Sequence, residues 1–202
     1  MSETIRSFIA VELNDTVRED LEKIQKDFGR LDCDIKWVKP KNIHLTLKFL
    51  GSVHPKKMKE ILALLPSLYE KTNAFECDIT HVGAFPRAER PRVIWAGIEK
   101  NASLVEDLAA CTENGLCRLG FAKEKRAFSP HVTLGRVRSQ KNIHLLGKAL
   151  NSYSLSSPIA QRIARVTLFK STLTSQGPVY ESLAQIPLRK WSPTAKAVVP
   201  SK

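Results

Sequence analysis

Asn42-Ile43-His44-Leu45-Thr46-Leu47 and, further along, Ser129-Pro130-His131-Val132-Thr133-Leu134 are the two stretches on which the reading of this chain turns. In each, apolar and polar residues alternate with period two, the pattern of a half-buried β-strand. His44 and Thr46 therefore share one face and Leu45 and Leu47 the other. His131 and Thr133 stand in the same relation to Val132 and Leu134. Each strand offers an imidazole beside a hydroxyl, and the 87 residues between the two histidines suggest two similar half-units meeting at one cleft.

Chance does not account for the pair. Five His and eleven Thr among 202 residues give an expectation of roughly 0.3 His-x-Thr triplets, and the apolar alternation lowers it several-fold. The other histidines lack the hydroxyl: His54 precedes Pro-Lys, His81 precedes Val-Gly, and His144 precedes Leu-Leu. The repeated Lys-Asn-Ile-His at 41–44 and 141–144 is a decoy, because His144 lies in a segment that reads as helical. On the residues alone, two strands with polar outer faces and no chemistry remain an alternative.

Outward from these strands, Arg6–Leu13 reads as a first strand. A helix follows, capped at Asn14 or Asp15 and stopped near Phe28 by Gly29. Ile35–Val38 and Ile43–Leu50 read as strands, with Gly51 as terminator, and Pro55 opens a second helix. Phe75–Ala84 and Arg92–Ile98 are strands joined by a basic loop from Pro86 to Pro91. A third helix starts at Asn101 or Ser103, and a short fourth helix covers about 140–150 after the second His/Thr strand. Ile163–Leu173 and Val179–Ile186 close the body around a turn at 174–178. The order is neither strict βαβ alternation nor all-β, which indicates α+β with antiparallel sheets. Residues 1–188 form one domain in this reading, and 189–202 form a flexible basic tail.

Lys and Arg exceed Asp and Glu by 32 to 20, a net charge of +12. That surplus suits a polyanionic partner, or else is a solvated basic surface. Cys33, Cys77, Cys111 and Cys117 form no CxxC pair and no zinc spacing, so no metal or redox site is expected. The apolar run at the start is too brief for a signal segment or membrane span, which leaves the cytoplasm as the default compartment.

Two imidazoles in one cleft can serve as a base and an acid near neutral pH, because an unperturbed imidazole titrates at about 6.5. Thr hydroxyls are weak nucleophiles but good donors to anionic oxygens. A phosphodiester attacked in line uses such a set best, and a strained cyclic 2′,3′-phosphate needs no metal to make its oxygen depart. Arg136, past Gly135, is either a forked donor to the same phosphate or an ordinary exposed Arg.

His44-Leu45-Thr46-Leu47-Lys48-Phe49-Leu50-Gly51 together with Pro130-His131-Val132-Thr133-Leu134-Gly135-Arg136 resembles the double HxTx signature of the 2H phosphoesterases. Among these the chain most resembles the RNA 2′,3′-cyclic phosphodiesterases historically called 2′-5′ RNA ligases. Arg6–Ala10, Gly83–Pro86, Arg92–Gly97, Ser171–Leu173 and Gly177–Tyr180 add to the likeness, which covers about 5–188.

The resemblance implies a bilobal α+β fold with two antiparallel-sheet lobes related by pseudo-two-fold symmetry around a central groove. It implies opening of RNA 2′,3′-cyclic phosphate ends to 2′-phosphomonoesters, with His44 as proton donor and His131 as proton acceptor. Thr46 and Thr133 would hold the phosphate, with Arg136 as helper. No metal, cofactor or membrane is expected; the partner is RNA, tRNA fragments among the candidates, and the chain is expected to act as a monomer. Ligation, action on a small cyclic nucleotide, and non-catalytic binding of single-stranded RNA are the alternatives. Phe49, Phe85, Phe128 and Trp95 are candidates for base stacking, although such aromatics more often belong to a core.

Overall fold

A computed structural model describes residues 4–190 of the chain. Its strands are β1 (Ile5–Glu12), β2 (Ile35–Trp37), β3 (His44–Val53), β4 (Phe75–Phe85), β5 (Val93–Lys100), β6 (His131–Val137), β7 (Ile159–Ile163), β8 (Arg165–Thr174) and β9 (Gly177–Pro187). Its helices are α1 (Asp15–Gly29), α2 (Pro55–Tyr69), α3 (Ala102–Cys117) and α4 (Ile143–Ser152). The strands form one antiparallel sheet in the order β7-β4-β5-β6-β3-β1-β8-β9, with β2 also on β6. The α+β class, the antiparallel pairing and the two repeated halves expected from the sequence are all present.

Those halves are visible in the sheet order. From the β3–β6 junction one half runs outward as β3-β1-β8-β9 and the other as β6-β5-β4-β7. In chain order, β1-α1-β3-α2 is followed by β4, which joins the opposite half beside β5. Likewise β5-α3-β6-α4 leads on to β8, which joins the first half beside β1. Each half thus lends a strand to the other.

The strand alternation sorts side chains to two faces. Ile9 and Val11, Leu45 and Leu47, Ile94 and Ala96, and Val132 and Leu134 meet the apolar stripes of the helices in one large core. On the other face Phe8, Ala10 and Phe169 make a separate small cluster, with Tyr180 against it.

Three local expectations are revised. Gly29 does not stop α1 by turning left-handed: the helix includes it and closes on Arg30, whose backbone is right-handed and whose N–H donates to the Asp27 carbonyl, with the Leu31 N–H donating to that of Phe28. Gly51 is not a terminator but lies inside β3 with φ +70°, at a bulge where Leu50 is the extra residue between the pairs Ser7–Gly51 and Phe8–Phe49. β7 is an additional strand at the edge beyond β4. At the C-terminal side the Arg189 N–H donates to the Thr72 carbonyl and its own carbonyl accepts from the Ala74 N–H. The remainder of the expected tail, 191–202, lies outside the described residues. No helix among the described residues is long and apolar enough to cross a membrane.

Candidate active site

The two His/Thr strands are neighbours. β3 and β6 pair antiparallel at Leu45–Val132, and one step to either side of that pair His44 stands across from Thr133 and Thr46 across from His131. Cross-strand partners present their side chains to the same face. Both imidazoles and both hydroxyls therefore meet on the face opposite the helices.

Each ring is fixed in the same way. His44 Nδ1 lies 2.7 Å from the Asn42 carbonyl oxygen, and His131 Nδ1 lies 2.7 Å from that of Ser129. A carbonyl only accepts, so in both rings Nδ1 carries the proton and Nε2 is the nitrogen left for chemistry. Asn42 is itself held, its side-chain amide donating to the Pro178 carbonyl at 2.8 Å at the start of β9. Phe8 and Tyr180 flank His44, with ring centroids at 4.8 and 5.4 Å. Burial pushes the His44 imidazole below its ordinary value, with the bond to Asn42 opposing the shift.

Beyond the single Leu45–Val132 pair the two strands part, and β2 takes up the edge of β6 through Ile35–Val137, Lys36–Arg136 and Trp37–Gly135. The opening between them is a cavity of about 480 Å³. His44, Thr46, Thr133 and Arg136 line it; His131 does not. Arg6, Lys36 and Lys39 line it too, and like Arg136 they make no ion pair among the described residues. Burial raises the Tyr180 phenol, while Arg136 and Arg6, which line the same cavity, pull it the other way.

Two bulges decide what else enters the cavity. On β6, Thr133 pairs with Trp95 and Gly135 with Ile94, so Leu134 is an extra residue. On β3, Thr46 pairs with Ala10 and Lys48 with Ile9, so Leu47 is the extra one. Each bulge follows its His-x-Thr directly and reverses the alternation beyond it. Arg136 and Phe49, each five residues past its histidine, are thereby brought to the cleft face. Phe49 is 60 % exposed on the cavity wall.

Of the proposed stacking aromatics, Phe49 lines this cavity. Phe85 and Trp95 flank His131, at centroid distances of 5.0 and 6.4 Å. Phe128 packs against the main core instead, as strand-flanking aromatics commonly do. Lys36, Lys39 and Tyr180 were not singled out from the sequence. Lysines on both sides of Trp37 carry no periodic signal, whereas Tyr180 lay within the Gly177–Tyr180 segment that bears the family likeness. Of the control histidines, His54 caps α2, its Nδ1 accepting from the Lys56 N–H, and His144 is exposed on α4. No group of three or more His, Cys, Asp or Glu among the described residues is arranged to hold a metal ion.

Comparison with known proteins matches the description "LigT like Phosphoesterase" twice, to residues 11–95 and 97–180, so that each match takes in one His/Thr strand. The RNA 2′,3′-cyclic phosphodiesterase of Methanocaldococcus jannaschii is 35% identical over 181 residues, which are 90% of this chain and 99% of the relative. That of Methanothermobacter thermautotrophicus is 32% identical over 179 residues, 89% and 96% of the two chains. Among solved structures, TT0787 of Thermus thermophilus superposes with a TM-score of 0.75 at 28% identity, covering 92% of this chain and 99% of that one. Escherichia coli LigT complexed with 3′-AMP shares the fold, with a TM-score of 0.74 at 24% identity and the same coverage.

Proposed function

Because this chain belongs to the LigT like phosphoesterase family, we propose that it hydrolyses RNA ending in a 2′,3′-cyclic phosphate to the 2′-phosphomonoester, using His44 and His131 as its acid and base. The reaction class follows from the family and from relatives named RNA 2′,3′-cyclic phosphodiesterase. The mechanism rests chiefly on one observation: two imidazoles with Nδ1 tied to a carbonyl two residues back, each across from a threonine hydroxyl on one open face.

The asymmetry of the cleft supports the assignment of roles. The departing 3′-oxygen stays on the RNA, and the cation-lined cavity that suits an RNA strand includes His44 but not His131. With the RNA seated there, the leaving oxygen faces His44 and the opposite face of phosphorus is open to water on the His131 side. His131 Nε2 accepts a proton from the attacking water as the P–O3′ bond breaks, and His44 Nε2 donates its proton to O3′. Thr46, Thr133 and Arg136 hold the non-bridging oxygens, where developing charge is greatest. Burial favours neutral His44 in the free protein; the charge of a bound phosphate favours the protonated form, so the acid is loaded as the substrate binds. Every proton transfer is assigned to a side chain, and no cofactor is invoked.

The decisive experiment is mass analysis of the product from a short oligoribonucleotide with a 2′,3′-cyclic end, incubated with chelator present. The expected product carries a 2′-phosphate. Absence of turnover by the wild-type chain, or full activity in both His44→Ala and His131→Ala, overturns the reading. Turnover of the oligonucleotide is expected to exceed that of a cyclic mononucleotide, since Arg6, Lys36 and Lys39 line the same cavity in addition to the residues assigned to the reacting phosphate.

A further inference from the structure

His81 has no part in either His-x-Thr pair, yet the sheet places it in line with one of them. In the β4–β5 register His81 stands across from Gly97, and in the β5–β6 register Gly97 stands across from His131. All three positions face the cleft, with β4 and β6 about 10 Å apart, twice the strand spacing. The missing side chain at position 97 leaves room for two neighbours, His81 leaning inward and the Trp95 indole: a Cβ there would overlap the Cε1 and Nε2 atoms of the His81 ring and crowd Trp95 Cζ3. The side chain thus bridges toward His131 over a glycine, on the side of His131 away from Thr46.

The far end of the ring is set by a hydrogen-bonded chain. Thr80 Oγ1 donates to Glu99 Oε2 at 3.1 Å and lies 3.0 Å from His81 Nδ1. A hydroxyl has one proton, and Thr80 has given it to the carboxylate, so it accepts from His81 Nδ1–H. Nε2 is then the nitrogen free to accept, and it lies over Gly97 beside Trp95 Cζ3, in the row of positions that leads across β5 to His131.

We propose that His81 is a positioning residue that orients the attacking water by accepting a hydrogen bond from its second proton. This rests on the functional reading above. The water oxygen forms the new bond to phosphorus and the P–O3′ bond breaks. One water proton passes to His131 Nε2, the His44 proton passes to O3′, and the second water proton stays on the product phosphate. His81 gains and loses nothing; it selects the direction of the oxygen lone pair.

The test uses a nucleophile with only one proton. In water–methanol mixtures attack by water gives the 2′-phosphate and attack by methanol gives the 2′-methyl phosphate diester. Methanol has no second proton to offer His81. In His81→Ala, hydrolysis should fall about tenfold, the loss of one ordinary hydrogen bond, while methanolysis falls less, so the ratio of methyl ester to phosphate rises several-fold. His81→Gln keeps an acceptor and should return the ratio toward wild type. An unchanged ratio in His81→Ala overturns the proposal, whether both rates are preserved or both fall together. Since wild-type turnover is measured in the same mixtures, an inactive wild-type chain condemns the functional reading, whereas an active one with an unchanged ratio in His81→Ala condemns only the role of His81.

Discussion

A carbonyl two residues back holds each imidazole, and this local contact makes the His44 and His131 rings interchangeable in geometry but not in surroundings. Alanine at either position is expected to lower kcat at least 10²-fold with the fold intact, by the usual worth of a positioned proton transfer; circular dichroism and single-turnover rates check both halves of that statement. His44 also leaves a signature in stability. Its imidazole titrates lower when folded than when unfolded, so the unfolded chain binds the extra proton first. Stability is unaffected above the unfolded value of about 6.5 and is lost as pH falls from there to the folded value. Urea titrations of the wild type should show this loss, and those of His44→Gln a smaller one. The His/Thr pairs were legible because strand alternation needs only four residues to show. Arg136 is named beside the phosphate, but the residues alone leave it an even choice with an ordinary exposed Arg: its odd spacing from His131 puts it on the core face under strict alternation, and only the bulge at Leu134 returns it to the cleft.

At the scale of elements, the bulge at Leu47 has a second effect, which is to turn Lys48 inward. Its side chain is 2 % exposed, and the ammonium donates to both Glu113 carboxylate oxygens, at 3.0 and 2.9 Å, and to the Ala122 carbonyl at 3.0 Å. Glu113 Oε1 in turn accepts from the Glu124 N–H at 2.8 Å. One buried cation thereby ties β3 to α3 and to the loop that leads into β6. Removing one partner strands a buried charge, so Glu113→Ala should cost about 3 kcal/mol in chemical denaturation, whereas Lys48→Met combined with Glu113→Leu should cost far less. Sequence patterning missed this pair because a lysine two positions beyond Thr46 reads as outward-facing. It missed β7 for a related reason: the inward position between Ile159 and Ile163 is Gln161, buried because its side-chain oxygen accepts from the Asn14 N–H, and a polar residue there hides the alternation.

On the scale of the molecule, the exchange of β4 and β8 between halves makes each half incomplete. A fragment ending near Ile98 carries β4 and β5 without β6, their continuation in the sheet. Neither 4–98 nor 99–190 is expected to give a cooperative thermal transition alone, and the two mixed should recover one. The net charge of +12 acts at this scale too. KM for an oligonucleotide should rise steeply with salt while kcat holds, and Lys36→Ala with Lys39→Ala should flatten the logarithmic slope by roughly 0.7 for each phosphate that is no longer neutralised. Two-fold symmetry, finally, would let a ligand seat equally well in either direction. Phe49 and Arg136 occupy equivalent stations in the two halves, one a flat apolar platform and the other a cation. That inequality, added to a cavity that takes in His44 and not His131, gives the cleft a front and a back, so a strand with distinct ends is expected to lie down in it one way.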